Sequence, residues 1–258
     1  MKERAGIQSV EVGFVLLDVL ARAAGPLMLR DLAAAAGMSS AKAHRYLVSF
    51  QRLELVTQDA GSTRYDLGPA ALKLGLASLS RLDAVKLARE RIGGLAAQIG
   101  HTLALAVWGN HGPTIVHWEE SADAVTVNLR LGDVMPLLSS ATGRCFAAFV
   151  SRDAIAPMLR EEVARAQKAG RKDVPSTMAE VKTMLDDVRR RGMARVVDTL
   201  LPGIVGFCAP VFDSDAHMVL GIVSLGSPST FDGEWGGAVE KPLRAAAVQL
   251  SSDLGHTG

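Results

Sequence analysis

Residues 27–53, LMLRDLAAAAGMSSAKAHRYLVSFQRL, restrict the N-terminal part of the chain to few folds. Leu29 and Leu32 mark the inward side of a short helix, and Gly37 stands where a helix C-terminus takes a left-handed residue. The pair Ser39 and Ser40 then caps a further helix, in which Ala43, Leu47, Phe50 and Leu53 form one apolar stripe. Its opposite face carries Lys42, Arg45, Ser49 and Arg52, and the window 37–53 holds no acidic residue. Two helices joined by a tight Gly-containing turn, the second with an acid-free basic face, suit a helix lying in the major groove of DNA, roughly 12 Å wide.

The flanking segments extend this pattern. From Val10 to Ala24, apolar residues recur at helical spacing until Gly25-Pro26 stops them. After the basic helix, LVTQDAGSTRYDL reads as two short strands around Asp59-Ala60-Gly61. The order helix, helix, turn, helix, ribbon is a winged helix-turn-helix. Tyr46 borders the apolar stripe, so it serves either the core or a DNA contact.

A linker helix is expected over 69–83 and another helix up to Gly100. Beyond it the periodicity changes. HTLALAVWG, GPTIVHWEE and AVTVNLRLG read as successive strands between Gly-containing turns. LLSSATGRCFAAFVS reads as a loop entering a helix, 153–169 as a further helix, and Thr177 with Glu180 as a capping box for the helix ending at Gly192. FCAPVFD and MVLGIVSLG return to strand, and 239–254 closes as a helix. The fold class is therefore α+β: a winged helix-turn-helix domain over 1–68, a linker helix over 69–83, and an α/β domain with an antiparallel sheet over 84–258.

Charge and cysteine content exclude several classes. With 28 basic and 27 acidic side chains the formal charge is +1, so nucleic-acid contact must come from a local patch. Cys145 and Cys208 stand far apart and outside any C-x-x-C spacing, which suggests neither a disulfide framework nor a zinc ribbon. The first residues lack the apolar core of a signal peptide, and no apolar run approaches a bilayer span. A cytoplasmic protein is expected.

IQSVEVGFVLLDVL, LMLRDLAAAAGMSSAKAHRYLVSF and TRYDLGPAALKLG resemble the N-terminal domain of the IclR family of bacterial transcriptional regulators. LRLGDVMPLLSSATGRCFAAF and RGMARVVDTLLPGIVGFCAPVFD through LGIVSLGSP resemble the effector-binding domain of the same family, in the same order. The resemblance implies a GAF-like second domain, a dimer or tetramer, and a palindromic double-stranded DNA operator. It places the recognition helix at 40–51, with Ser39, Ser40, Lys42, His44, Arg45 and Ser49 toward DNA and Arg64 at the wing. Lys42 and Arg64 suit phosphates, whereas Arg45 can donate two hydrogen bonds to guanine.

For the effector, the resemblance implies a pocket built from Ser139, Ser140 and Ala141, from Asp198, Ile204 and Gly206, and from Ser224. Free N–H groups at the start of the helix after Ser139 suit a carboxylate. Trp108, Trp118, Phe146 and Phe207 are candidate apolar walls, and an aromatic acid of a catabolic pathway is the specific form suggested. VVDTLLPG lacks the family's acidic pair near Asp198, and Arg144 stands where lysine is frequent. The alternative is an enzyme using Cys145, His117 or Asp198, although no nucleophile elbow, phosphate loop or carboxylate pair supports it. His101 and His117 have no partner at metal-ligand spacing; no cofactor and no metal are expected.

Overall fold

A computed structural model describes residues 6–79, 83–120 and 129–257. The chain divides into two compact units, 1–81 and 82–258.

In the first unit, α1 (Gln8–Arg22), α2 (Leu29–Ala35) and α3 (Ser40–Arg52) pack around Leu16, Leu20, Leu32, Ala43 and Leu47. Gly13 lets α1 approach α3, since a Cβ there would meet the Tyr46 and Phe50 rings at 2.9 and 3.0 Å. Tyr46 accordingly packs against this core. Gly37 takes φ +65° and donates to the Ala34 carbonyl, which ends α2 and starts the tight turn. Ser39 is the cap of α3, its hydroxyl accepting the Lys42 N–H at 3.4 Å. The expected apolar stripe stops one turn early: Leu53 follows the last turn of the helix and is 62% exposed.

The wing is β1 (Val56–Gln58) paired antiparallel with β2 (Tyr65–Leu67), and Leu27 bridges to Tyr65 as a third short edge. Asp59 closes the hairpin by accepting the Ser62 N–H and hydroxyl, each at 2.7 Å. Helix α4 (Pro69–Leu79) follows, over the expected linker.

The second unit is a five-stranded antiparallel sheet in the order β4-β3-β7-β6-β5. Its strands are β3 (Thr102–Gly109), β4 (Gly112–Glu119), β5 (Ala194–Val197), β6 (Val205–Phe212) and β7 (Met218–Gly226). Helices α5 (Ala84–Ile99) and α9 (Glu240–Asp253) cover one face over Leu105, Phe207 and Ile222. Helices α6 (Ala141–Phe149), α7 (Arg152–Lys168) and α8 (Met178–Arg191) build the core on the other, over Ala104, Cys208 and Val223. Both faces being covered explains the nearly unbroken apolar runs of β6 and β7.

Two expectations change here. The strand expected over 124–132 falls mostly on residues outside those described; Leu131 and Gly132 form a turn, after which 132–135 pairs with the edge of β4. Among the described residues the fifth strand of the sheet is the short β5, next to β6. The capping box at Thr177 is half formed: Thr177 accepts the Glu180 N–H, but the Glu180 carboxylate turns to the Ser176 N–H and hydroxyl. Among the described residues no helix is long and apolar enough to cross a membrane.

Candidate functional site: a basic helix and a cavity under a helix start

Capping and amphipathicity fix what α3 presents. Ala43 and Leu47 are buried, so Lys42, His44, Arg45 and Arg52 face solvent, and none of them is hydrogen-bonded or ion-paired through its side chain among the described residues. Two polar side chains are already committed: Ser49 donates its hydroxyl to the Arg45 carbonyl at 3.3 Å, and Ser39 is used as the cap. Ser40 is exposed at the first turn. Arg64 donates to the Pro26 carbonyl at 3.1 Å, so it ties the wing to the α1–α2 connection while its outer edge stays exposed.

The second site begins with close backbone packing. A Cβ on Gly143 would lie 2.6 Å from Leu137 Cα and nearer still to the Pro136 carbonyl, so only glycine lets the first turn of α6 sit on the loop before it. Ser140 caps α6, accepting the Gly143 N–H at 2.8 Å and donating to the Pro136 carbonyl at 2.7 Å. The backbone N–H groups of Ala141 and Thr142 keep no partner among the described residues. Glu162 on α7 accepts the Leu137 and Leu138 N–H groups, at 2.8 and 2.9 Å. Arg144 donates to the Leu138 carbonyl at 2.8 Å; its burial lowers its pKa, with nearby Asp173 opposing that shift.

Below this helix start lies a cavity of about 40 Å³. Ser140, Ala141, Ile204 and Gly206 line it, as expected, together with Thr142, Val196, Val223 and Leu225, which sequence reasoning missed. Ser224 does not. It pairs with Leu103 and Phe207, which belong to the core under α5 and α9, and directly paired residues share a face. Its hydroxyl therefore points to the opposite side of the sheet, buried without a partner. Alternation along β7 places Val223 and Leu225 in the cavity instead.

Other expected residues are also placed elsewhere. Asp198, at φ +54°, accepts the Gly203 N–H at 2.7 Å and shapes the β5–β6 turn, exposed. Trp108 packs on Phe146 with centroids 6.1 Å apart, Trp118 packs against the same core, and neither lines the cavity. Ser139 faces a second, outer cavity. Cys145 is buried and its thiol is pushed up, chiefly by that burial, which keeps it protonated and unreactive. His117 pairs with Glu119 at 3.5 Å and His101 packs on Phe231. Among the described residues the one cluster with metal-ligand geometry is Asp213, Asp215 and His217 in the β6–β7 turn, where Asp213 already accepts two backbone N–H groups.

Comparison with known proteins finds matches to both units. Residues 9–60 match the IclR helix-turn-helix domain and residues 76–252 match the bacterial transcriptional regulator IclR C-terminal domain. The glycerol operon regulatory protein of Streptomyces coelicolor is 30% identical, over 96% of this chain and 97% of that protein. The DNA-binding transcriptional repressor YiaJ of Escherichia coli is 26% identical, over 99% and 91%. The crystal structure of Pseudomonas aeruginosa HmgR superposes with a TM-score of 0.88 at 35% identity, covering 98% of this chain and all of that one. These matches span both units, the basic α3 and the cavity beside α6, and remove the enzyme alternative: this chain belongs to the IclR family of bacterial transcriptional regulators.

Proposed function

We propose that this regulator binds a palindromic operator as a homo-oligomer, a dimer or tetramer, and that a small carboxylic acid with an apolar or aromatic body controls it. The observation that carries the effector class is the cavity itself. Its walls include Val196, Ile204, Val223 and Leu225, and it lies beside the start of α6, the positive end of a helix dipole, where the N–H groups of Ala141 and Thr142 have no partner among the described residues. An apolar body with one carboxylate matches the chemistry of both parts, and the space for its body must extend beyond this cavity. A polyol would leave its hydroxyls against those four side chains, although relatives are named for a glycerol operon.

On the DNA side, Arg45 reads bases while Lys42, His44 and Arg64 fix the register on phosphates. Coupling requires that the effector bind one arrangement of the regulator better than another, with α4 as the connecting element. A gel-shift series with the promoter region of its own gene tests the reading, with benzoate and phenylacetate as probes. Sequence-selective retention that shifts on adding acid supports it. Retention indifferent to DNA sequence overturns the operator half, and unchanged affinity and footprint with a saturating acid overturn the effector half.

A further inference from the structure

The cavity under α6 is too small for the ligand assigned to it. Sites for small organic ligands run to roughly 300–1,000 Å³, against about 40 Å³ here. Directly beside it lies an outer cavity of about 510 Å³. Met135 and Leu200 line both, so two flexible apolar side chains form the partition. Ser139 and Ser140, adjacent in sequence, face the two cavities, Ser139 outward and Ser140 inward.

The outer cavity has unused polar groups. Ser139 is only 4% exposed, yet its hydroxyl has no hydrogen-bond partner among the described residues. Arg165 on α7 lines the same cavity and makes no ion pair among the described residues. The neighbouring charges are already satisfied. Both Glu162 oxygens accept backbone N–H groups, and Arg171 is held by Asp173 and by the Thr199 carbonyl. Among the described residues, what remains is the Arg165 guanidinium and the Ser139 hydroxyl, beside apolar Val134, Met158 and Ala166.

We propose that the outer cavity is the second half of the effector site and takes a second carboxylate, bound by Arg165 and the Ser139 hydroxyl. The effector class is then a dicarboxylate whose apolar spacer passes Met135 and Leu200, with its first carboxylate at the N–H groups of Ala141 and Thr142. This rests on the carboxylate reading above. The charge-assisted pair supplies affinity that a monocarboxylate cannot gain.

Calorimetric titration of the full chain with glutarate, adipate, pimelate and suberate, against monocarboxylates of equal carbon number, tests the assignment. At least one diacid should bind about tenfold tighter than its matched monoacid, a charge-assisted gain. Arg165→Ala should erase that advantage while leaving the monoacid Kd in place, and Arg165→Lys should restore part of it. Diacids no tighter than monoacids overturn the second subsite and leave the carboxylate reading standing. A diacid advantage that survives Arg165→Ala overturns the assignment to this cavity. No binding by either series, with operator binding intact, overturns both readings.

Discussion

Gly143 and Pro136 are packed so closely that a Cβ on Gly143 would clash with the Pro136 carbonyl oxygen, and the first turn of α6 depends on that contact. Gly143→Ala must push α6 off the loop at 136–140, where Ser140 holds its cap. Overpacking of this backbone should destabilise the second unit by about 3 kcal/mol or more. Gly94, in an exposed stretch of α5 with nothing within 4 Å of an added Cβ, is the control. Gly94→Ala should be neutral or stabilise by up to about 1 kcal/mol. Differential scanning calorimetry of both variants decides; equal melting temperatures would show that the Gly143 contact is dispensable.

Glu162 serves the same loop from α7. Its two oxygens take the N–H groups of Leu137 and Leu138. A glutamine keeps one acceptor and turns an N–H2 toward the other donor, so Glu162→Gln should cost about 1–3 kcal/mol. Urea unfolding measures it. A variant as stable as the parent would mean that water replaces the carboxylate there.

How far the sequence alone could go follows from which signals are local. Gly37, the Ser39 cap and the Asp59 turn are each set by a few adjacent residues, so the helix-turn-helix and the wing were readable. The face of Ser224 was not. MVLGIVSLG is apolar on both sides of the sheet, so period-2 alternation carries no inside-outside contrast and a one-residue slip goes unnoticed. β5, with Ala194, Arg195, Val196 and Val197, is too short for its own periodicity and exists because β6 lies beside it. Asp198 entered the pocket through the family resemblance, and its turn role depends on Gly203, five residues on. Trp108 and Trp118 were candidate walls by type alone, and their packing in the core depends on the register between β3 and β4, which carry them.

Gly206 separates effector response from folding. A Cβ there would touch the Ser224 carbonyl at 3.4 Å and the Ala141 and Leu225 Cβ atoms at 3.9 Å, ordinary contact distances on an unstrained strand. Gly206→Ala therefore puts a methyl group into the cavity at little cost to the sheet, since the contacts it makes are at ordinary distances. Operator affinity should stay within about twofold, a few tenths of a kcal/mol, while the shift on adding acid disappears. Gel shifts with and without phenylacetate read both at once. A fully responsive variant would place the effector elsewhere.

The basic helix yields a contrast between two substitutions. Arg45→Ala should relax base preference at one operator position by about 1–3 kcal/mol. Lys42→Ala should weaken binding evenly across sequences and lower the slope of log K against log salt by about one. Both side chains are exposed and unpaired among the described residues, so neither change should affect the melting temperature. Identical specificity profiles for the two variants would mean that Arg45 touches only phosphate.

Acid sensitivity follows from carboxylates that the fold holds ionised. Asp253 is kept below the usual carboxylate range first by the hydrogen bond from Arg91, which joins α5 to α9, and then by Gln249. Asp232 is held low by the Ala238 N–H at 2.7 Å and the Glu234 N–H at 3.1 Å. A depressed folded-state pKa means that the unfolded chain takes up the proton first as pH falls. The stabilisation is complete above the ordinary carboxylate pKa of about 4 and is lost as pH drops through the folded value. Urea midpoints should therefore be level near neutrality and fall from about pH 5 downward. Asp253→Asn should lower the midpoint at neutral pH, because the Arg91 partner is lost, and should flatten the acid limb until the two curves converge. Parallel curves at every pH would show that the Arg91–Asp253 link contributes no pH-dependent stability.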